Sequence, residues 1–331
     1  MQRMLRIEDL DTPPEVFLRD QAEGYDFYTA FQGAKIEGFR FGYFAVYRHD
    51  TLVTVAPYFV MDFRLDTLLP AGLLKRSLSW IKFNLACIGS PTADFGRIHG
   101  EVSSDILALI NATLSTRGSL LAYKGFGDGL PVAGFVQAAG LPVPVLPLRP
   151  DYFSALKSDR RNLLKRKLKK ASTLRYEECD GLAPELVEAV HRLYLNTYNK
   201  AELKFEKLTP EYFRRTAPIS KYLLFFHEDE LIGFTQLIGR NGRLVNRYIG
   251  LDYDKSDQHG LYFAMFIRAV EVGAREGYRD MELGATAYEF KRILGAQQVP
   301  TWNYYRHTTP WVNWVLGKLR SVLEPSESEL R

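Results

Sequence analysis

The chain has 331 residues and a formal net charge of +4, and 46% of its residues are hydrophobic and 25% charged. This composition, which lacks a polar low-complexity run, excludes an intrinsically disordered protein, and the length predicts two domains with separate cores. Scattered histidines and two distant cysteines, Cys87 and Cys179, argue against a zinc site and predict free thiols and no metal.

The first residues of the chain show no targeting signal. Arg3, Arg6, Glu8 and Asp9 interrupt the apolar residues there, so the hydrophobic core of a signal peptide is missing. No later run reaches the length of a membrane-spanning helix. We therefore expect a cytoplasmic protein.

The first half of the chain begins with β-rich sequence. Two such segments, 41–48 and 51–62, meet at His49-Asp50, which predicts a hairpin. The segments that follow are a strand at 84–89, a helix at 103–116, a strand at 120–124, a short helix at 131–139 and a strand at 143–148.

The second half repeats this order of elements, although no sequence period connects the two halves. Two β-rich segments, 222–227 and 230–238, flank an acidic turn. They are followed by a strand at 244–253, a helix at 261–275, a strand at 278–283, a short helix at 288–294 and a strand at 301–307.

This succession predicts a mixed α/β fold whose helices cover both faces of a central sheet, once in each half. No glycine pattern of a Rossmann domain or a phosphate-binding loop follows a predicted strand, and no serine lies in a GxSxG turn. The expected domains are residues 1–150 and 151–310, with an amphipathic helix and tail at 311–331.

A strongly basic segment opens the second domain. Residues 157–170 read KSDRRNLLKRKLKK, with Asp159 as the sole acid, and on a helix their leucines share one inward stripe. Two interpretations stay open. The helix is either a solvated surface or an anion-binding surface that uses Arg160, Arg161 and Lys165.

Two apolar segments combine tryptophan with basic residues: LLPAGLLKRSLSWIKFNL at 68–85 and WVNWVLGKLRSVL at 311–323. This combination is typical of amphipathic helices that lie in a membrane interface. Packing between domains explains either segment equally well, so peripheral membrane contact is one of two interpretations.

One region resembles a known superfamily. Residues 260–306, GLYFAMFIRAVEVGAREGYRDMELGATAYEFKRILGAQQVPTWNYYR, are similar to FemAB-like and BioF2-like GNAT acyltransferases and to proteins of peptidoglycan biosynthesis or recognition. The resemblance rests on ELGA at 282–285 and on Glu289, Lys291 and Gly295. With YLNTYNKAELKFEKLTPEYFRR at 194–215, it spans roughly residues 151–307. It predicts tandem GNAT-like domains, the first similar only in element order.

The resemblance implies direct transfer of an acyl group from a thioester or ester donor to an amine between the splayed strands of a GNAT sheet. Such a reaction needs hydrogen-bond donors for the oxyanion, a base for the amine, and an acid or cation for the leaving group. The N–H groups of Ile249, Gly250 and Leu251 are the expected oxyanion donors, and Gly250 would let substrate approach closely. A simple β-bulge is the alternative.

Carboxylates near the predicted strand ends are the candidate bases. They are Asp252, Asp254 and Glu282, of which Glu282 is the first choice, because a carboxylate with a raised pKa accepts an ammonium proton. The alternative for Glu282 is a salt bridge to Arg247, Arg279 or Lys291. The candidate acids or carbonyl-orienting hydroxyls are Tyr248, Tyr262, Tyr288 and Tyr304, although aromatic core packing is the favoured interpretation for any one of them.

The donor site departs from an ordinary acetyltransferase. A typical GNAT has Q/R-x-x-G-x-G/A before its long helix, where amides cradle a pyrophosphate. This chain has DQHGLY at 257–262, which predicts weak binding of free acetyl-CoA and leaves His259, Gly260 and Arg292 to contact the donor. Lys291 takes the position of the usual tyrosine acid and is expected to stabilise charge, the alternative being a surface lysine.

We expect N-acyl transfer to an amine of a cell-envelope precursor, an amino-acid metabolite or a lipid. The donor would be acyl-CoA or acyl carrier protein, neither of them tightly bound. The alternatives are FemAB-like peptidyl transfer from aminoacyl-tRNA and binding of an envelope ligand without catalysis. DNA is not an expected partner.

Overall fold

The structure, a computed structural model, describes residues 5–64, 82–201, 206–326 and 329–330. The expected amphipathic segment at 68–85 lies outside them, except for its last four residues. The described strands are β1 (Leu5–Leu10), β2 (Arg40–Arg48), β3 (Thr51–Arg64), β4 (Lys82–Ile88), β5 (His99–Gly100), β6 (Leu120–Phe126), β7 (Val136–Ala139), β8 (Val143–Pro147), β9 (Arg175–Asp180), β10 (Lys221–His227), β11 (Glu230–Arg240), β12 (Arg243–Leu251), β13 (Asp280–Glu282), β14 (Gln297–Val299) and β15 (Trp302–His307).

Helices alternate with these strands along the chain. The described α-helices are α1 (Tyr25–Gly33), α2 (Ser104–Leu114), α3 (Tyr152–Ala155), α4 (Ser158–Lys170), α5 (Val187–Lys200), α6 (Pro210–Thr216), α7 (Tyr253–His259), α8 (Leu261–Arg275), α9 (Tyr288–Leu294) and α10 (Pro310–Lys318). None of them has both the length and the apolarity needed to cross a bilayer.

The strands form two mixed sheets, which confirms the expected α/β class. The first has the order β1-β2-β3-β4-β6-β15-β7, with β5 beside β3, and the second has the order β14-β8-β13-β12-β11-β10-β9. The predicted hairpin joins β2 to β3, with Arg48 opposite Thr51 and His49 at a φ of 56°.

Two strands pair in the opposite sheet from the one the sequence suggested. β8 was expected to complete the first sheet, but it pairs with β13, with Val145 opposite Glu282. β15 was expected to complete the second, but it lies between β6 and β7 of the first. The periodicity of apolar residues identifies a strand but not the strands that pair with it. The sequence pattern therefore could not show that β8 and β15 lie in each other's expected sheet.

The described chain accordingly divides into two discontinuous compact units, in contrast to the continuous ranges expected. The first unit comprises Met1–Phe17, Gly38–Val143 and Val299–Arg331, and the second comprises Leu18–Glu37 and Pro144–Gln298. Helix α1 thus belongs to the second unit, although the sequence placed it in the first domain.

The expected short helix at 131–139 was wrong. Gly134 has a φ of 75°, which no helix accommodates, and residues 136–139 form β7 instead. By contrast, the helices expected at 261–275 and 288–294 have the predicted bounds.

Each unit has a core of its own. In the first, α2 packs Ile106 and Ile110 against sheet residues such as Phe44 and Tyr123. In the second, α8 buries Met265 and Ile267 among leucines of the sheet. Burial of the apolar side of α8 fixes this helix against the face of β11 and β12 that carries Leu237 and Leu244.

Candidate functional site

The parallel strands β12 and β13 separate in the second sheet. Their pairing runs from Arg243 to Val245 on β12 and ends at Glu282 on β13. β12 continues to Leu251 alongside β11 alone, so within the described chain its other edge has no strand partner from Asn246 onward. Backbone N–H and C=O groups on such an edge are available to a ligand.

A β-bulge lies directly beyond this separation. Gln236 of β11 is opposite Tyr248 and Leu237 is opposite Asn246, which leaves Arg247 as the extra residue of β12. A bulge re-aims the side chains beside it. Here the guanidinium of Arg247 lies 4.8 Å from the centroid of the Tyr248 ring, so both side chains point to the same face of the sheet.

Gly250, expected to admit substrate, instead admits a helix. A Cβ at this position would lie 2.4 Å from the ring of Phe234 and 2.6 Å from main-chain atoms of Leu193 and Tyr194. The missing side chain therefore lets α5 pack closely on β12. Ile249 and Leu251 flank it, and both pack with the core on the side of α8.

Charged groups cover the face of β12 to which Arg247 points. Nη1 of Arg247 lies 3.0 Å from Oε1 of Glu23, and the two side chains are only 6% and 4% exposed. The hydroxyl of Tyr248 donates to Oε1 of Glu206 at 2.7 Å. Burial, and then the charge of Glu206, raises the pKa of Tyr248 well above its ordinary value, so this phenol stays protonated.

Glu282 is buried in an ion pair. Its Oε1 accepts from Nη1 of Arg243 at 3.0 Å, and Nε of Arg243 also lies 2.8 Å from Oδ1 of Asp280. This geometry supports the salt-bridge interpretation, with a partner that the sequence did not suggest. The carboxylate nevertheless lies on the last paired residue before the strands separate.

Lys291 is 1% exposed, so the surface-lysine alternative was wrong. Its ammonium donates to the carbonyl oxygen of Gly284 at 2.7 Å and to the carbonyl oxygen of Thr286. Gly284 and Ala287 both adopt positive φ, 79° and 47°. This conformation is strained for Ala287, because its Cβ is crowded there, whereas glycine adopts it without strain. Lys291 thus fixes the loop that leaves β13 where it separates from β12.

The N-terminus of α8 lacks the glycine-rich loop of a typical GNAT. Helix α7 occupies 253–259, and Gly260 precedes α8 with a φ of 60° and no side-chain cap. Nζ of Lys167 lies 3.7 Å from the centroid of the Phe263 ring, and the Lys170 side chain approaches Gly260. Two cations of α4 therefore lie at a helix terminus that attracts anions.

His259 lies in the same region. Its Nδ1 is 3.1 Å from Oγ1 of Thr173, and its ring centroid is 4.6 Å from that of His227. Its Nε2 is buried and has no hydrogen-bond partner in the described chain. Burial, and then the charge of His227, lowers the pKa of His259.

Asp252, another candidate base, caps a helix. Its Oδ1 accepts from the backbone N–H of Asp254 at 3.0 Å and of Lys255 at 3.4 Å, at the start of α7. The structure thus gives this carboxylate a capping role.

The remaining tyrosines pack in the cores or, in the case of Tyr262, against one. Tyr262 packs its ring with Phe266 and Phe290, and burial raises its pKa to about 12. Tyr288 is fully buried at the start of α9. Tyr304 lies on β15 of the first unit, where its hydroxyl donates to the carbonyl oxygen of Gly127 at 2.8 Å.

The other basic candidates differ in their surroundings. Arg160 and Lys165 of α4 are exposed, as is Arg292 of α9. Arg161 donates to the carbonyl oxygen of Ser154 at 2.9 Å. None of these four contacts the N-terminus of α8 in the way that Lys167 does.

Sequence reasoning missed two polar side chains on the α8 side of the sheet. Asn246 is 6% exposed and Thr235 is fully buried, and neither the amide atoms of Asn246 nor Oγ1 of Thr235 has a hydrogen-bond partner within the described residues. Each such group costs about 1–3 kcal/mol when buried and unpaired. A lone asparagine in an apolar strand, RLVNRYIGL, was the available signal.

Elsewhere, a cavity of about 390 Å³ lies in the first unit, lined by one side of α2 and by Arg306. It contains none of the expected site residues. Within the described chain, no group of three or more His, Cys, Asp or Glu side chains could hold a metal ion.

Comparison with protein families matches residues 158–292 to Acetyltransf_6, an acetyltransferase (GNAT) domain. The match covers the separated strands, the bulge, α8 and Lys291. No curated protein matches the sequence.

Solved structures share the fold across both units. The C-terminal domain (DUF2156) of a putative lysylphosphatidylglycerol synthetase from Agrobacterium fabrum has a TM-score of 0.54 at 12% identity, covering 80% of this chain and 85% of that one. FemX has a TM-score of 0.50 at 10% identity, covering 92% and 95%. A tandem GNAT protein of the clavulanic acid biosynthesis pathway has a TM-score of 0.53 at 11% identity, covering 93% and 99%.

These findings confirm the resemblance to FemAB-like and tandem GNAT proteins. Residues 158–292 of this chain match the model of a GNAT acetyltransferase domain, and this match supports an acyltransferase.

Proposed function

We propose that the second unit transfers an acyl group from a thioester donor to an amine where β12 and β13 separate. The observation that carries the proposal is the end of pairing at Val245 and Glu282, followed at once by the bulge at Arg247. This arrangement gives a reacting carbonyl a backbone edge with unpaired N–H groups beside buried charged residues.

In this reaction the amine nitrogen attacks the thioester carbonyl carbon, and the carbonyl oxygen becomes an oxyanion. The C–N bond forms, the C–S bond breaks, and the leaving thiolate takes up a proton while the amine gives one to a base. N–H groups of β12 between Arg247 and Leu251 are the proposed oxyanion donors, and preorganised donors of this kind are worth a factor of about 100 to 1,000 in rate.

The base is proposed among the carboxylates on the face of Arg247. Glu282 lies on the last paired residue of β13, and Glu206 holds the hydroxyl of Tyr248. Glu282 stays the first choice for the base because it lies where β12 and β13 separate. The competing role is the ion pair with Arg243, and substitution of the two residues tests it.

Phosphate groups of the donor are proposed to lie at the N-terminus of α8. Lys167 and Lys170 supply positive charge there. Because the residue before the helix is Gly260, no side chain at that position caps the first N–H groups of α8. Since α7 replaces a glycine-rich loop, fewer backbone amides can surround a pyrophosphate. We therefore expect free acetyl-CoA to bind weakly and most affinity to come from the acyl arm.

A second candidate is aminoacyl transfer from tRNA to an envelope or lipid acceptor. The basic helix α4 favours it, because a polyanion would contact many of its cations together. Binding of an envelope ligand without chemistry is a third candidate. Retention of buried Glu282 and Lys291 at the separated strands favours catalysis over this last one.

A membrane-linked acceptor is proposed because of helix α10. Trp311 and Trp314, three residues apart, are 70% and 66% exposed, and Lys318 follows them. Exposed tryptophans next to a cation suit the headgroup region of a bilayer.

Thermal unfolding of the full chain tests the donor class. A palmitoyl thioester of coenzyme A or of acyl carrier protein should raise the midpoint, because a ligand that binds only the native state stabilises it. A rise with aminoacyl-tRNA alone would instead favour the second candidate, and no rise with any donor would favour the third.

A further inference from the structure

The cavity of the first unit runs beside helix α2. One wall includes Ser104, Ala108 and Ala112, which follow one another at intervals of four residues along one side of this helix, and Ala133 and Arg306 lie in the remaining lining. The three alanines are exposed, so the cavity is open to solvent. Its volume of about 390 Å³ lies within the range of about 300–1,000 Å³ that is usual for the binding of small molecules.

One buried amide lines this cavity with a free donor group. Asn111 is 7% exposed, and its Oδ1 accepts a hydrogen bond from the hydroxyl of Tyr123 at 2.7 Å. Burial raises the pKa of Tyr123, so this hydroxyl keeps the proton that it donates. The amide oxygen is therefore occupied, whereas Nδ2 has no acceptor among the residues that the structure describes. A buried amide nitrogen of this kind needs a partner, and a ligand in the cavity can supply it.

Arg306 adds a positive charge to the same cavity. It lies on β15 opposite Leu121 of β6, which also lines the cavity. Its guanidinium lies 5.9 Å from the centroid of the Phe135 ring, and that ring centroid is 5.4 Å from the ring centroid of Tyr123, which holds Asn111. Within the described part of the chain, no carboxylate pairs with Arg306 and none lines the cavity.

The chemistry of these groups selects the ligand. A guanidinium and the NH₂ of an amide only donate, so they favour a group that only accepts, such as an ionised carboxylate. Among the described lining residues, Arg306 is the single cation, which suits one negative charge better than the several charges of a nucleotide. Much of the remaining lining is apolar and suits an aliphatic chain. These apolar residues are Ala108, Ala112, Leu121, Pro131 and Ala133.

We propose that this cavity binds an aliphatic monocarboxylate, with the carboxylate at Arg306 and Asn111 and the hydrocarbon chain along α2. The site consists of residues of the first unit alone. The inference therefore does not depend on the acyl transfer proposed for the second unit.

Isothermal titration calorimetry of the full chain with octanoate tests the inference, and octanol serves as a neutral ligand of the same chain length. The parent should bind octanoate at least about tenfold more tightly than octanol, because hydrogen bonds to a charged group are the stronger ones. Arg306→Met should weaken the binding of octanoate about tenfold to a hundredfold and change that of octanol little. Arg149→Met, at an exposed arginine of the second unit, should bind octanoate as the parent does.

Ala112→Phe is a second variant, because its ring would fill the cavity from the exposed side of α2 and leave every charge in place. It should abolish the binding of octanoate, and it decides the question if Arg306→Met does not fold. Equal binding of octanoate by the parent and by the folded variants would place the acid elsewhere and overturn the inference. No binding by the parent, or tighter binding of octyl phosphate than of octanoate, would overturn it as well.

Discussion

The ammonium of Lys291 lies 2.7 Å from the carbonyl oxygen of Gly284, two residues beyond the last pair between β12 and β13. A buried cation thereby holds the loop whose course defines one side of the separation. Its position gives this lysine a structural role and a place beside the proposed reaction site.

Replacing Lys291 with Met should therefore affect both stability and rate. The methionine fills much of the space but leaves the carbonyl oxygens of Gly284 and Thr286 without their charged donor, so we expect a loss of roughly 2 kcal/mol in the free energy of unfolding. Urea denaturation measures it. Lys207→Met, at an exposed lysine of the same unit, is the control and should change little. An unchanged unfolding midpoint in Lys291→Met would contradict the structural role.

Glu282→Gln and Arg243→Met distinguish a base from an ion pair. Both should cost on the order of 1–3 kcal/mol of stability, less than a fully buried pair since the Arg243 side chain is 33% exposed. If Glu282 is the base, the glutamine variant alone should lose about 100-fold in kcat. Equal rate losses in the two variants, measured below their unfolding temperatures, would assign Glu282 to the ion pair only.

The cations of α4 differ in their expected effects on donor binding. Lys167→Gln with Lys170→Gln should weaken binding of a phosphate-bearing donor and flatten its salt dependence, because these lysines lie at the α8 terminus. Changing four other basic residues of α4 to Gln should weaken binding of a small donor less than the lysine pair does, and binding of tRNA more. These residues are Arg160, Arg161, Lys165 and Lys169. Calorimetry at two salt concentrations compares them, and equal losses with a small donor would refute the distinction.

His259 predicts a pH dependence of stability. Its pKa is lowered in the native state, so as pH falls through the ordinary value of 6.5 the unfolded chain binds a proton that the native protein does not. Stability from this group is therefore lost between that value and the lower native pKa. The parent should lose more unfolding free energy from pH 7.5 to 5.5 than His259→Gln does. An equal loss in the parent and in His259→Gln would contradict this assignment.

Trp311→Ser with Trp314→Ser tests the membrane-linked acceptor. The parent should co-sediment with phosphatidylglycerol vesicles at low salt, and the double variant should not, because the interfacial aromatic surface is gone. Val16→Ser, at another exposed apolar residue, is the control. Failure of the parent to bind such vesicles would remove this part of the proposal.

The sequence predicted local elements better than their partners. The helix at 261–275 carries an apolar period along its whole length and a glycine at each end, so its bounds followed directly. β8 and β15 were recognised as strands, but each pairs with residues more than 130 positions away in the other half, as Val145 does with Glu282. No local pattern records such a partner.

The candidate site was only partly predicted, because some of its residues come together from distant parts of the sequence. Glu282 and Lys291 were found through motif resemblance, and both lie at the separated strands. Glu23 and Asn246 were missed, since one reaches Arg247 from over 200 residues upstream and the other is conspicuous only once its burial is known. The role of Gly250 was misassigned because a helix packed closely on the strand and a substrate lying close to it both require a glycine.

Amide hydrogen exchange of the full chain, with and without a palmitoyl thioester of coenzyme A or acyl carrier protein, tests the central claim most directly. The donor should slow exchange in residues 246–251 of β12 and in the loop at 284–287, where the strands separate. Unchanged exchange in both segments, with protection by the thioester confined to other parts of the chain, would contradict the proposal that acyl transfer takes place there.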